Sequence, residues 1–281
     1  MNVLVTGAGG MLGSDLIGAL EGRGHRPVAL TRRDLDITSS RAVEAALDRH
    51  RPDCVINCAA WTDVDGAEAN EPEATRLNDQ AAAVLAAAAA GVGASFVFIS
   101  TDYVFDGRRG TPYVESDTAN PINAYGRSKL GGETSVAVTN PRTFVVRSSW
   151  LFGRNGKNFV ETMLGLAEAQ PEILVVSDQV GCPTYTVHLA AALAELIEGD
   201  AYGIHHLAGA GECSWFDFAQ EIFDQSGAET RVMAATTDML ARPAARPAYS
   251  VLGTERRGAL ELPGWRAGLA EYLAARRGVA A

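Results

Sequence analysis

Tyr125 and Lys129 stand four residues apart in Asn123-Ala-Tyr125-Gly-Arg-Ser-Lys129. On a helix that spacing puts both side chains on one face. A phenol has an ordinary pKa near ~10, and an adjacent ammonium lowers it by favouring the phenolate. The pair therefore suits protonation of a carbonyl oxygen while hydride reaches the carbon. Ser100-Thr101 ends a β-branched and aromatic run, where a hydroxyl can polarise the same oxygen. Tyr-x-x-x-Lys recurs by chance, so its weight depends on a second pattern.

That pattern is Gly7-Ala-Gly-Gly10-Met-Leu-Gly13, behind a strand-like run Asn2–Thr6 and ahead of a helical stretch. Glycine accepts positive φ and lets an anion approach the backbone. The free N–H groups and dipole at the helix start then suit the pyrophosphate of a dinucleotide. The spacing is G-x-x-G-x-x-G on Gly7, Gly10 and Gly13, with Gly9 as a fourth glycine. Past the second strand, a carboxylate would bind the ribose 2′-hydroxyl and repel a 2′-phosphate. Here Thr31-Arg32-Arg33 stands instead, and guanidiniums pair with phosphate. NADPH is expected, with NADH possible because Asp34 and Asp36 follow closely; Asp36-Ile37 is placed to border the adenine.

These residues need a scaffold, and the chain alternates strand-length apolar runs with helical stretches. Strands are expected at Asn2–Thr6, Arg26–Thr31, Cys54–Cys58, Ser95–Ser100 and Thr143–Arg147, with helices at Ser39–Arg49, Glu73–Ala90 and about Ala124–Val136. That rhythm predicts the α/β class: a Rossmann-type doubly wound parallel sheet with ligands at the strand C-terminal ends. Residues 1–150 are expected to form the dinucleotide-binding domain. Residues 151–281 should form a smaller C-terminal substrate-binding lobe, with segments free to interleave.

Composition narrows the partners. The net charge of −10, from 24 basic and 34 acidic residues, argues against nucleic acid. The longest apolar run, Ala81–Val92, is too short to cross a bilayer, and no signal peptide precedes Val3-Leu4-Val5. A cytoplasmic, reduced protein without a membrane partner is expected. Its four cysteines, Cys54, Cys58, Cys182 and Cys213, lack Cys-x-x-Cys spacing and read as thiols. His188, His205 and His206 read as packing or hydrogen-bonding residues.

With these motifs in place, the chain resembles the extended short-chain dehydrogenases/reductases, and among them the reductases of dTDP-linked 4-keto-6-deoxyhexoses. The resemblance runs through Gly7–Gly13, Asn57–Glu68, Ser100-Thr-Asp-Tyr-Val-Phe-Asp-Gly107, Tyr125–Lys129, Arg147-Ser-Ser-Trp150, Ser177–Thr184 and Ala245–Ser250. It implies C4-keto reduction, in the leading case of dTDP-4-dehydro-L-rhamnose. Tyr125 would be the proton donor, Lys129 its electrostatic partner and a cofactor-ribose contact, and Thr101 the tuning hydroxyl. Gly10, Met11 and Leu12 would meet the pyrophosphate, Asp36 and Ile37 the adenine end. Ala60, Trp61, Thr62 and Ile99 would line the cofactor cleft. Thr101, Asp102 and Trp150 match positions that touch the nucleotide sugar, and Arg246 suits a diphosphate clamp. Some relatives dimerise around magnesium held by carboxylates. Asp15 offers one ligand, but Tyr185-Thr-Val-His-Leu189 offers none, so no metal is expected; a monomer or homodimer is. Two alternatives stand: a 4-ketoreductase for another dTDP-deoxysugar, and a non-catalytic NADP-binding regulatory subunit of the same fold.

Overall fold

The computed structural model describes residues 1–278. Five strands follow the expected runs: β1 (Asn2–Thr6), β2 (Arg26–Leu30), β3 (Cys54–Asn57), β4 (Ser95–Thr101) and β5 (Thr143–Ser148). A sixth, β6 (Gly203–His206), completes a sheet ordered β2-β1-β3-β4-β5-β6. Every pairing in it is parallel. β6 lies beside β5, with Ile204 opposite Val145, although it comes long after residue 150. The second half of the chain therefore contributes a strand to the main sheet.

Strand side chains alternate between two apolar layers. Val3, Val5, Cys54, Ile56, Val97, Phe144 and Val146 pack under Leu12, Leu16 and Leu20 of α1 (Met11–Gly22) and under helix Thr186–Leu196. Leu4, Val55, Phe96, Phe98 and Val145 face the other way, against α2 (Ser40–His50), the Ala-rich helix and the helix carrying Tyr125. Both faces are covered, so near-continuous apolar strands are tolerated. A one-residue slip would exchange the two layers, which pins the register.

The long helix expected at Glu73–Ala90 begins earlier and is not uniform. It comprises α3 (Glu71–Thr75), a π turn at Arg76–Gln80, and α4 (Ala81–Gly91). The π turn contains Asn78, which is buried and faces the site. A short helix at Val64–Ala69 precedes it, capped by the Asp63 carboxylate on Gly66 N–H. The Tyr125 helix, α5 (Ala124–Thr139), is N-capped by Asn123, whose side chain accepts from Gly126 N–H. The smaller lobe packs Phe152, Val160, Phe218, Ile222, Leu269 and Tyr272 into a third core. Its strand Glu172–Val176 pairs in parallel with Arg231–Ala235. Among the described residues, no helix is long and apolar enough to cross a membrane.

Candidate active site

The glycine loop sits at the topological switch, where the chain leaves β1 for β2 on one side and β3 on the other. Such crevices receive ligands in open parallel sheets. Gly7 has φ +64, and a Cβ there would lie 2.6 Å from Ala59 N. A Cβ on Gly13 would lie 2.4 Å from Gly7 O. These two glycines are required by close packing. Gly9 and Gly10 are exposed and leave the approach open. Gly10 is the N-cap of α1 and no side chain caps it, so the first-turn N–H groups of Met11 and Leu12 are left for a ligand. The cradle therefore fits a dinucleotide pyrophosphate.

Thr31 closes over that loop: its Cγ2 would be 3.5 Å from a Cβ on Gly9. Its hydroxyl donates to Asp34 at 2.6 Å, which turns the chain and leaves Arg32 and Arg33 exposed at the end of β2. Asp36 accepts from Thr38 N–H and hydroxyl at 3.0 and 2.7 Å. Those bonds hold its carboxyl below the usual range. Ile37 is buried in the second apolar layer. Of the two residues expected to border the adenine, the carboxylate thus serves its own turn and the isoleucine serves the core.

On the far wall, Trp61 N–H donates to Asn78 Oδ1 at 2.8 Å, and Asn78 Nδ2 donates to Trp61 O and to the Ser128 hydroxyl. Ser128 donates in turn to Tyr125 O at 2.8 Å. Asn78 thus fastens the Ala60-Trp61-Thr62 loop to α5 from within a π turn, a helical irregularity that recurs at functional sites. Sequence reasoning missed it. The available signal was an Asn-Asp pair inside an otherwise Ala-rich helix, where neither residue favours helix. Ile99 is half-buried in β4 and packs on the first core.

Tyr125 is half-buried, in a small cluster with Trp61, Ala67, Ala74 and Ala124, and meets Tyr103 edge-on at 6.2 Å between centroids. The expected acidification of its phenol by Lys129 is not what this geometry gives. Burial pushes the phenol above its ordinary value, the Asp102 charge pushes the same way, and the Thr101 hydroxyl pulls it down. The reason is that Lys129 is engaged elsewhere. Its Nζ sits 4.2 Å from the centroid of the buried Phe98 ring. Burial lowers the ammonium to about 8, and the charge of Glu133, one turn further along α5, holds it up. A phenol kept protonated near neutrality is the form a general acid needs.

Glu133 anchors a buried group that sequence reasoning also missed. Arg147 Nε and Nη2 donate to its two oxygens at 2.9 and 2.7 Å, and Ser100 Oγ donates at 2.5 Å. Its position four residues past Lys129 was the legible clue. His206 Nε2 lies 3.4 Å from Arg147 Nη1, while its Nδ1 meets the Gly253 carbonyl at 2.8 Å. His205 and His188 hydrogen-bond to Ala201 O and Glu271.

Thr101 ends β4 and donates to Asp102 Oδ1 at 3.0 Å; Ser250 donates to Asp102 Oδ2 at 2.6 Å. Burial pushes the Asp102 carboxyl up to about 7, against the pull of both hydroxyls. Trp150 has φ +46 and stacks on Trp215 at 3.5 Å with 5° between planes. Left-handed backbone is strained for so bulky a residue. Arg246 is held: its Nη1 and Nη2 each donate to an Asp65 oxygen at 2.9 Å. The guanidinium fork expected on a diphosphate thus meets a carboxylate of this chain.

A wholly parallel sheet, a glycine cradle at its switch point and a Tyr-x-x-x-Lys helix along the same edge define an oxidoreductase of the short-chain dehydrogenase/reductase type. The family model described as the RmlD substrate binding domain matches residues 1–277. A dTDP-4-dehydrorhamnose reductase of Streptomyces griseus is 45% identical over 95% of this chain and 91% of its own. A dTDP-4-keto-6-deoxy-D-glucose reductase of Streptomyces niveus is 46% identical, over 89% and 88% respectively. A crystal structure of the Bacillus anthracis dTDP-4-dehydrorhamnose reductase in complex with NADP superimposes with a TM-score of 0.95, at 39% identity over 98% of this chain and 99% of that one. The chain belongs to the dTDP-4-dehydrorhamnose reductase family.

Proposed function

We propose that this protein reduces the C4 ketone of a dTDP-linked 4-keto-6-deoxyhexose, dTDP-4-dehydro-L-rhamnose in the leading case, with NADPH as the preferred reductant. The observation that carries this is the meeting of Thr101 and Tyr125 at the sheet edge whose switch point holds the glycine cradle. When bound, the reduced nicotinamide supplies the hydride. Tyr125 gives its proton to the C4 oxygen as charge develops there, and Thr101 orients that oxygen. Lys129 lends positive charge beside the cofactor ribose. Gly10, Met11 and Leu12 hold the pyrophosphate, and Ala60, Trp61, Thr62 and Ile99 bound the cleft. Asp102 and Trp150 face the sugar. Arg246 would meet a diphosphate only on leaving Asp65.

A second reading, a 4-ketoreductase for a different deoxysugar, is favoured by the Streptomyces niveus relative. The same machinery would serve it. The test supplies several dTDP-4-dehydro-6-deoxyhexoses with each cofactor, follows the nicotinamide absorbance, and identifies the product sugar by NMR. Loss of absorbance only with the L-rhamnose precursor supports the leading case; no oxidation with any of them would end both.

Arg32 is assigned to the 2′-phosphate of NADPH. A hydrogen bond to a charged group contributes about 1.5–3 kcal/mol. Arg32→Ala should therefore weaken NADPH roughly ten- to hundredfold while leaving NADH nearly unchanged. Fluorescence titration of both cofactors checks this, and equal losses would show that Arg32 reads no phosphate.

A further inference from the structure

The Asp65–Arg246 pair is more than a surface contact. Besides the two-pronged bond to Arg246, Asp65 accepts from Ala244 N–H at 3.1 Å and from Arg242 at 3.3 Å. Arg246 also donates to Ala244 O at 2.7 Å. Four donors therefore converge on one carboxylate of the short helix Val64–Ala69 and fix the Pro-rich segment 242–248 against it. Within that segment Pro243 and Pro247 lack N–H groups, which leaves its backbone fewer donors of its own.

What the segment does next is specific. Ala245 O accepts from Asn123 Nδ2 at 2.9 Å, and Asn123 Oδ1 accepts from Gly126 N–H at 2.7 Å. From the same short helix as Asp65, Glu68 accepts from Ala124 N–H at 2.8 Å. The peptide N–H groups on either side of Tyr125 are thus both tied down, one directly by that helix and one through the latched segment. Gly126 leaves no slack, since a Cβ there would lie 2.2 Å from Tyr103 O. Past Pro247, which packs on Gly107, the chain delivers Ser250 to Asp102 beside Thr101. One strap therefore touches the supports of both Tyr125 and Thr101.

We propose that Asp65 and Arg246 form a positioning latch for the reduction: their bond sets the strap, and the strap sets the start of the Tyr125 helix against Thr101. It rests on the assignment of Tyr125 as proton donor. Arg246 acts here through the strap and not as a substrate ligand. Displacement of a reacting group by even an ångström is expensive in rate, so loosening the latch should lower kcat on the order of tenfold.

The test uses the full chain with NADPH and its 4-keto sugar nucleotide, in Asp65→Asn, Arg246→Ala, Arg246→Lys and the Asp65→Asn/Arg246→Ala double variant. The latch predicts that both single losses fall on kcat and that the double variant is no slower than the worse single one, as for partners in one interaction. Arg246→Lys should recover part of the loss, because it keeps the charge without the fork. The solvent deuterium effect on kcat should rise as proton delivery becomes limiting. Binding of NADPH by fluorescence and of dTDP by calorimetry should stay within about twofold, because neither ligand is held by the latch. If Arg246→Ala instead raises KM and the dTDP dissociation constant with kcat unchanged, the guanidinium is a substrate ligand and the latch is wrong. Additive losses, or unchanged kcat in all four variants, overturn it equally. Tyr125→Phe run alongside separates the two assignments: an active Tyr125→Phe removes the proton donor, whereas an inactive one beside fully active latch variants removes only the latch.

Discussion

Tyr125→Phe is expected to slow ketone reduction by ~10²-fold or more, the usual loss when a general acid is removed. Only the hydroxyl goes. The ring keeps its place among Trp61, Ala67, Ala74 and Ala124 and its edge contact with Tyr103, so fold and cofactor affinity should persist. A phenol is protonated at neutral pH, and burial and the Asp102 charge push Tyr125 further that way, so what is lost is a proton already in place. Single-turnover decay of the nicotinamide absorbance, with NADPH affinity measured separately, gives the result. An unchanged rate would mean that the proton reaches the C4 oxygen from another source.

How much of this was legible beforehand depends on whether the signal is local. β1, β3, β4 and β5 are apolar runs whose alternate residues enter two cores, while β2 gives only Leu30 to one of them, and the glycines that punctuate these strands have steric reasons visible in one chain segment. Gly7 and Gly13 are examples, each held by a backbone contact that a Cβ would violate. β6 falls in the stretch expected to form the smaller lobe, yet it joins the main sheet. Its partner β5 is fixed by tertiary packing of Phe144 against His205 and Tyr202, which no local pattern announces.

The candidate site divides in the same way. Tyr125, Lys129 and the glycine loop are spacing motifs, legible within one segment of chain. Asn78, Glu133 and Asp65 bond to residues distant in sequence, so apart from the Lys129–Glu133 spacing nothing beside them names their partners. The expected electrostatics failed for a related reason. The i, i+4 spacing does put Lys129 on the Tyr125 face, but whether an ammonium acidifies a phenol depends on what else surrounds both. Here Phe98 and Glu133 take the ammonium, and burial dominates the phenol.

Glu133→Gln carries the largest expected effect on stability. Arg147 is buried with both prongs on this carboxylate, so the variant leaves a cation in the interior without its counter-charge. Breaking one side of a buried pair costs about 3–5 kcal/mol. At roughly 2–4 °C per kcal/mol for a chain of this size, the melting temperature should fall on the order of 10 °C. Replacing both members with apolar side chains of similar volume, Glu133→Leu with Arg147→Met, should restore most of that loss. Lys129 supplies a second readout with a definite sign. Its protonated form is the useful one, and in the wild type that form is lost as pH rises through about 8. Glu133 is the charge that raises this value against burial, so its removal moves the alkaline fall of kcat to lower pH. A pH profile of kcat in the folded variant, taken well below its melting temperature, separates this from simple destabilisation. An alkaline limb that stays in place while the melting temperature drops would show that Glu133 supports the fold without tuning Lys129.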